Sequence, residues 1–160
     1  IFHWLSATVL IIQIPLGMYL VDMDFSEKRL TIENIHVAVG ISIFYLTVLR
    51  LIYKAFNPTP KLNNSIFPGQ KIIAKLNHVF LYISILMITI SGALKKLYNG
   101  EELDMFFFNL EIQDNFDLAE IFYEIHILGN YTLIALISLH IFAVLIHKIL
   151  FKENLLKRIL

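Results

Sequence analysis

HILGNYTLIALISLHIFAVLIH, the run from His126 through His140 to His147, decides how this chain is read. Its three histidines stand 14 and 7 residues apart in an otherwise apolar stretch of helical length. At 100° per residue both intervals fall within about 40° of whole turns, so all three imidazoles project from one face. Fourteen residues advance a helix by roughly 21 Å. That sets His126 and His140 near opposite sides of a hydrocarbon core about 30 Å thick. A helix so equipped can carry two metal centres, one above the other, and two haems are the most economical occupants.

The rest of the chain supports a membrane setting. Of its 160 residues 58% are apolar and only 16% are charged, with a mean hydropathy of +0.70. That is too apolar for a soluble domain of this length, and there is room for one domain, spanning 1–160. Four apolar stretches, about 2–21, 35–56, 72–94 and 125–151, each meet the requirement of roughly 20 residues for a crossing. The expected fold is all-α, an integral membrane four-helix bundle. The first stretch is long, lacks a small-residue cleavage site and carries His3 at its start, so it reads as a span and not as a signal peptide. The chain starts at Ile1 and not at Met, so a short N-terminal piece is expected to be missing. No internal repeat or low-complexity tract is evident.

Cysteine is absent. Disulfides, iron–sulfur ligation, haem–thiolate chemistry and covalent haem attachment are thereby excluded. No nucleic-acid partner is expected.

Charge is zero on average but strongly segregated. The first connection holds Asp22, Asp24, Glu27 and Glu33 against Lys28 and Arg29. The third holds eight acids between Glu101 and Glu124 against Lys95 and Lys96. The second carries Arg50, Lys54, Lys61, Lys71 and Lys75 with no acid, and the tail has Lys148, Lys152, Lys157 and Arg158 against Glu153. By the positive-inside rule the second connection and both termini are cytoplasmic. Pro58 and Pro60 are expected to end the second helix. The Leu103–Phe108 run reads as an interfacial segment dipping aromatics into the headgroups, or as a cap over the bundle end.

Topology gives each histidine a level. His36 and His126 meet at the outer level, and His3 and His140 at the inner one. Each pair could supply both axial nitrogens of a low-spin haem b, a coordination suited to electron transfer. His78 and His147 are surplus: either could replace an inner ligand or hydrogen-bond a quinone headgroup. Arg50, 14 residues after His36, shares its face and could meet a haem propionate or a quinone carbonyl. Lys54 and Lys75 read as ordinary anchors. Gly17 and Gly92, each 14 residues after a histidine, and Gly40 and Gly129 beside the outer pair would clear room for a porphyrin, or serve plain helix packing.

Other metal chemistry fits less well. Glu33-x-x-His36 is half a di-iron carboxylate motif, and no second copy exists. Zinc needs a tighter ligand cluster. A histidine-based transporter without haem would normally carry a membrane-embedded acid as well, and the middle of every span lacks one.

These residues resemble the bacterial cytochrome b561 family across essentially the whole chain. The likeness rests on His3-Trp4, on Ile35-His36-Val37 with Gly40, on Arg50-Leu51 followed by Pro58-Thr59-Pro60, and on Leu76-Asn77-His78 with Tyr82. His126, Gly129-Asn130-Tyr131, His140 and His147 complete it. The resemblance implies a diheme cytochrome b of the bacterial inner membrane, with His36 and His126 ligating one haem and His3 and His140 the other. It also implies the superoxide oxidase branch, which takes electrons from superoxide outside and delivers them to ubiquinone, with His147 at the quinone. Quinone reduction takes up protons, which His147 could relay because imidazole titrates near neutral pH.

Superoxide is an anion, and the two outer connections hold 12 acids against four bases, which disfavours long-range steering. Lys95 and Lys96 are the local candidates to attract it; their plainer role is to bind haem propionates or lipid headgroups. The alternative function is a haem-bearing anchor and electron conduit for a partner dehydrogenase or hydrogenase, with the acidic face docking a basic periplasmic protein.

Overall fold

A computed structural model describes residues 2–57, 69–150 and 152. The helix stop at Pro58 and Pro60, Lys61, and the tail charges Glu153, Lys157 and Arg158 lie outside the described residues. Four long helices cross in sequence: α1 (Phe2–Val21), α2 (Glu27–Phe56), α3 (Gln70–Tyr98) and α4 (Phe116–Ile149). All four are long and apolar enough to span a bilayer. A short antiparallel hairpin, β1 (Leu103–Asp104) with β2 (Asn109–Leu110), lies between α3 and α4.

Three of the helices outrun their apolar stretches at the acidic end. The α2 helix starts at Glu27 and α4 at Phe116, each about two turns before the apolar run. Their caps explain this. The Ser26 hydroxyl accepts the Arg29 amide at 3.2 Å, and Asn115 Oδ1 accepts the Leu118 amide at 3.1 Å. Glu27 and Asp117 in the first turns favour the positive end of each helix dipole. Hydropathy reports only the part of a helix that lies in hydrocarbon, so the polar first turns escaped it.

The bundle is sparsely cored and polar inside. Gln13, Thr47, Asn77, Ser84 and Ser91 are buried, whereas Ile11, Ile12 and Leu128 face outward. Lipid tails are as apolar as these side chains, so close packing and interhelical hydrogen bonds, not water exclusion, hold such helices together. The α3–α4 contact is the closest, and α4 approaches α1 and α2 only marginally. A slot therefore opens between α4 and the α1–α2 pair. At its wall Leu133 packs with Ile43 and Ile85 at 2% exposure. Leu133→Ala is expected to cost about 2–5 kcal/mol, read as earlier thermal unfolding in detergent, while Ile11→Ala changes little.

The hairpin packs onto the bundle. Leu103, 1% exposed, wedges against Ile41 and Leu97. Tyr45 Oη donates to the Met105 carbonyl at 3.1 Å, and Phe106 and Phe107 lean on the Tyr45 ring. The tip thus runs down the flank of α2 with Phe107 outermost. Leu103 packs into the bundle as a cap would, while Phe107 stays exposed as an interfacial aromatic would.

Candidate functional site

Two layers of imidazoles face the slot. In the first, His36 of α2 and His126 of α4 have ring centres 6.2 Å apart; in the second, His3 of α1 and His140 of α4 are 6.3 Å apart. An iron bound to two imidazole nitrogens at about 2.0 Å, with ring centres about 1.1 Å behind them, needs about 6.2 Å. Both pairs match. His78 lies 5.1 Å from His140, edge to face, which leaves no space for a metal between them. Among the described residues no three His, Asp or Glu side chains converge as a zinc or di-iron site would require.

The arrangement is built twice, although no repeat is visible in the sequence. In the α1–α2 hairpin His3 precedes Gly17 by 14 residues and His36 precedes Arg50 by 14. In the α3–α4 hairpin His78 precedes Gly92 and His126 precedes His140 by the same interval. Gly17 abuts the His36 ring, and Gly92 abuts the His126 ring: a Cβ would sit 2.8 Å from Cε1 in the first case and 2.9 Å in the second. These two glycines therefore make room first for the imidazole. Gly40 borders the cavity with only Gln13 near it. Gly129 takes the packing reading: its missing Cβ admits Ile88 and Met87, so it serves α3–α4 packing.

The His36–His126 layer lines a cavity of about 420 Å³. Ile14, Ile41, Ile85 and Leu133 give it apolar walls, and Arg29, Lys95 and Lys96 stand along it among several carboxylates. Paired imidazoles, flat apolar walls and nearby cations form the donor set and surroundings that a haem with two propionates needs. The tautomer at His126 also fits. A carbonyl only accepts, so Nδ1–H of His126 donates to the Ile88 carbonyl at 2.9 Å and Nε2 keeps its lone pair.

The His3–His140 layer meets the spacing but differs in detail. Arg50 Nη2 donates to His3 Nδ1 at 3.1 Å, so the neutral His3 ring carries its proton on Nε2. Binding iron through Nε2 requires that proton to move and Arg50 to turn away; the Tyr82 ring, 5.5 Å from its guanidinium carbon, is the neighbouring support. Lys54 sits over the same ring at 5.1 Å. His78 is exposed and donates from Nδ1 to the Ala74 carbonyl at 2.6 Å. His147 is buried, with its Nε2 against the Gln70 amide at the start of α3.

Both candidate lysines are engaged by acids. Lys95 pairs with Glu33 at 2.9 Å and Lys96 with Glu101 at 2.6 Å. Sequence reasoning counted Arg29 only as a loop charge, yet it borders the cavity and donates to the Met23 carbonyl. It also passed over Gln13, whose signal was available: an amide amid α1's apolar residues, four before Gly17.

Four membrane-length helices presenting stacked imidazole pairs to an internal slot have the architecture of a membrane-embedded b-type cytochrome. Comparison with known proteins agrees. The chain belongs to the prokaryotic cytochrome b561 family, whose model matches residues 1–160. It is thus a multi-pass membrane protein of a haem b-binding electron-transfer family, and an oxidoreductase by class. It is 26% identical over 163 residues to "Cytochrome b561 homolog 2" of Escherichia coli (strain K12), covering 99% of this chain and 87% of that protein. It is 28% identical over 130 residues to "Probable superoxide oxidase CybB" of Yersinia pestis, covering 80% of this chain and 74% of that protein.

Proposed function

We propose that the chain is a diheme cytochrome b of the bacterial inner membrane that moves single electrons from a donor outside to a quinone. The observation that carries this reading is the pair of imidazole layers, 6.2 and 6.3 Å between ring centres, on helices of membrane length. His36 and His126 hold one haem b, and His3 and His140 the other. The charge bias sets the acidic end and the His36–His126 layer outside, with both termini cytoplasmic.

Each bound haem would supply reversible one-electron exchange at its iron. The protein's part is to keep that site closed and dry. His36 and His126, and His3 and His140, would hold the irons, and the apolar walls of the cavity would exclude water from them. The His126 Nδ1–H bond to Ile88 fixes the ring's orientation and would raise its basicity toward a bound iron.

Superoxide is the donor favoured by the likeness to the Yersinia pestis protein. Two superoxide anions each give up one electron and leave as dioxygen. At the cytoplasmic end two electrons and two protons convert ubiquinone to its quinol, with Arg50, His78 and His147 as the nearby polar groups. Lys95 and Lys96 would attract the anion locally, each within a carboxylate pair.

A second reading, an electron conduit docked to a basic periplasmic protein, is favoured by the same acidic end, where 12 of the 13 acids lie. One purified sample tests both. Two low-spin haems b per chain by pyridine haemochrome, with rapid superoxide-driven quinone reduction by the isolated chain, is the expected result. Two haems with no response to superoxide, and salt-sensitive co-purification with a periplasmic protein, would favour the conduit. No haem from haem-replete cells would overturn both.

A further inference from the structure

The two histidines of the cavity layer are held differently. His126 is clamped: its Nδ1–H reaches the carbonyl of Ile88, four residues before Gly92. The counterpart of Ile88 in the first hairpin is Gln13, four residues before Gly17. Yet His36 Nδ1 is buried and meets no hydrogen-bond partner among the described residues. Its ring is seated against Gly17 as His126 is against Gly92, but lacks the bond that would fix it.

A candidate acceptor belongs to a residue that already bonds His36. Gln13 is 7% exposed, borders the cavity, and donates from Nε2 to the backbone carbonyl of His36 itself at 2.8 Å. That carbonyl only accepts, so the amide nitrogen must face it and the amide oxygen must be the other atom. Gln13 Oε1 is likewise buried and without a partner among the described residues. One buried acceptor and one buried ring nitrogen, both unsatisfied, thus belong to two residues already bonded to each other. An imidazole bound to iron through Nε2 must keep its proton on Nδ1, and a buried N–H without an acceptor is costly.

We propose that Gln13 is the positioning residue for His36: its Nε2 holds the His36 carbonyl, and its Oε1 accepts the Nδ1–H bond that Ile88 accepts from His126. This rests on the haem reading above. The bond would orient the ring and raise its basicity toward iron, as such partners do for ligating histidines. Gln13 would then tune the outer haem and leave the inner one alone.

The test is a redox titration with low-spin EPR of full-length, haem-loaded Gln13→Met and Gln13→Glu. Gln13→Met has no acceptor at that place, so ferric iron loses support. The outer haem, identified as the component that His126→Ala removes, should rise in potential by about 59 mV, a tenfold change in its oxidised-to-reduced balance. Its EPR signal should shift with it, and the inner haem should stay put. Gln13→Glu puts a charged, stronger acceptor in the same place and should lower the outer potential below the wild-type value.

If Gln13→Met does not assemble, the Gln13→Glu potentials decide the matter alone. Two haems with an unmoved outer signal in both variants, or equal shifts in both haems, would overturn the assignment and leave Gln13 as an interhelical tether. Wild-type protein without haem would instead overturn the haem reading on which it stands.

Discussion

His126→Ala should reduce the chain from two haems to one. Its ring is one of the two that the His36–His126 cavity presents, and it is held in the tautomer that leaves Nε2 bare. The methyl group of alanine supplies neither the bond nor the wall, and His36 alone offers a single axial nitrogen to a cavity of about 420 Å³. Pyridine haemochrome and the reduced-minus-oxidised spectrum read the loss directly. His78→Ala is the matched control, because His78 is exposed and stands too close to His140 to share a metal with it. It should keep both haems. If His126→Ala retained two low-spin haems, the pairing across the slot would be wrong.

Gly92→Ala should damage the same haem without touching a ligand. The added Cβ would lie 2.9 Å from both Cε1 and Nδ1 of His126, closer than carbon atoms pack. The ring must move, and with it the Nδ1–H bond to Ile88 that Gly92 leaves open. Overpacking of this kind costs about 1–3 kcal/mol, which is roughly 5- to 150-fold in affinity. The expected result is weaker retention of one haem on dilution and a displaced low-spin EPR signal, with the second haem unaffected. Gly129→Ala meets Ile88 and Met87 instead. It should lower thermal stability in detergent while leaving the EPR signals in place. Equal effects of the two substitutions on the spectrum would remove the special role given to Gly92.

Much of this is legible in the sequence. Hydropathy located all four helices, and α1 ends where it was expected, at Val21. The 14-residue interval in α4 paired His36 with His126 and His3 with His140, because helical rise converts directly into depth. What remained hidden depends on neighbours across helices. Gly129 and Gly92 look alike in sequence, but one faces Ile88 and the other an imidazole. Lys95 and Lys96 read as free cations until Glu33 and Glu101 are seen beside them. The doubled hairpin design escaped notice because the connections within the two hairpins, 22–26 and 99–115, differ in length, so only the intervals inside helices match. Arg50 in place of a histidine at the fourth position disguises it further.

The separation between the layers has an electrical consequence. Fourteen residues of helix put them roughly 21 Å apart in a core about 30 Å thick. An electron carried from one layer to the other therefore crosses about two thirds of the membrane's voltage drop, worth about 1.6 kcal/mol for every 100 mV. In the proposed orientation, with the acidic end outside, that transfer would run inward against a negative interior. Turnover would then slow as the cell becomes more strongly energised and quicken when its potential collapses, making the respiratory state itself a brake on the protein.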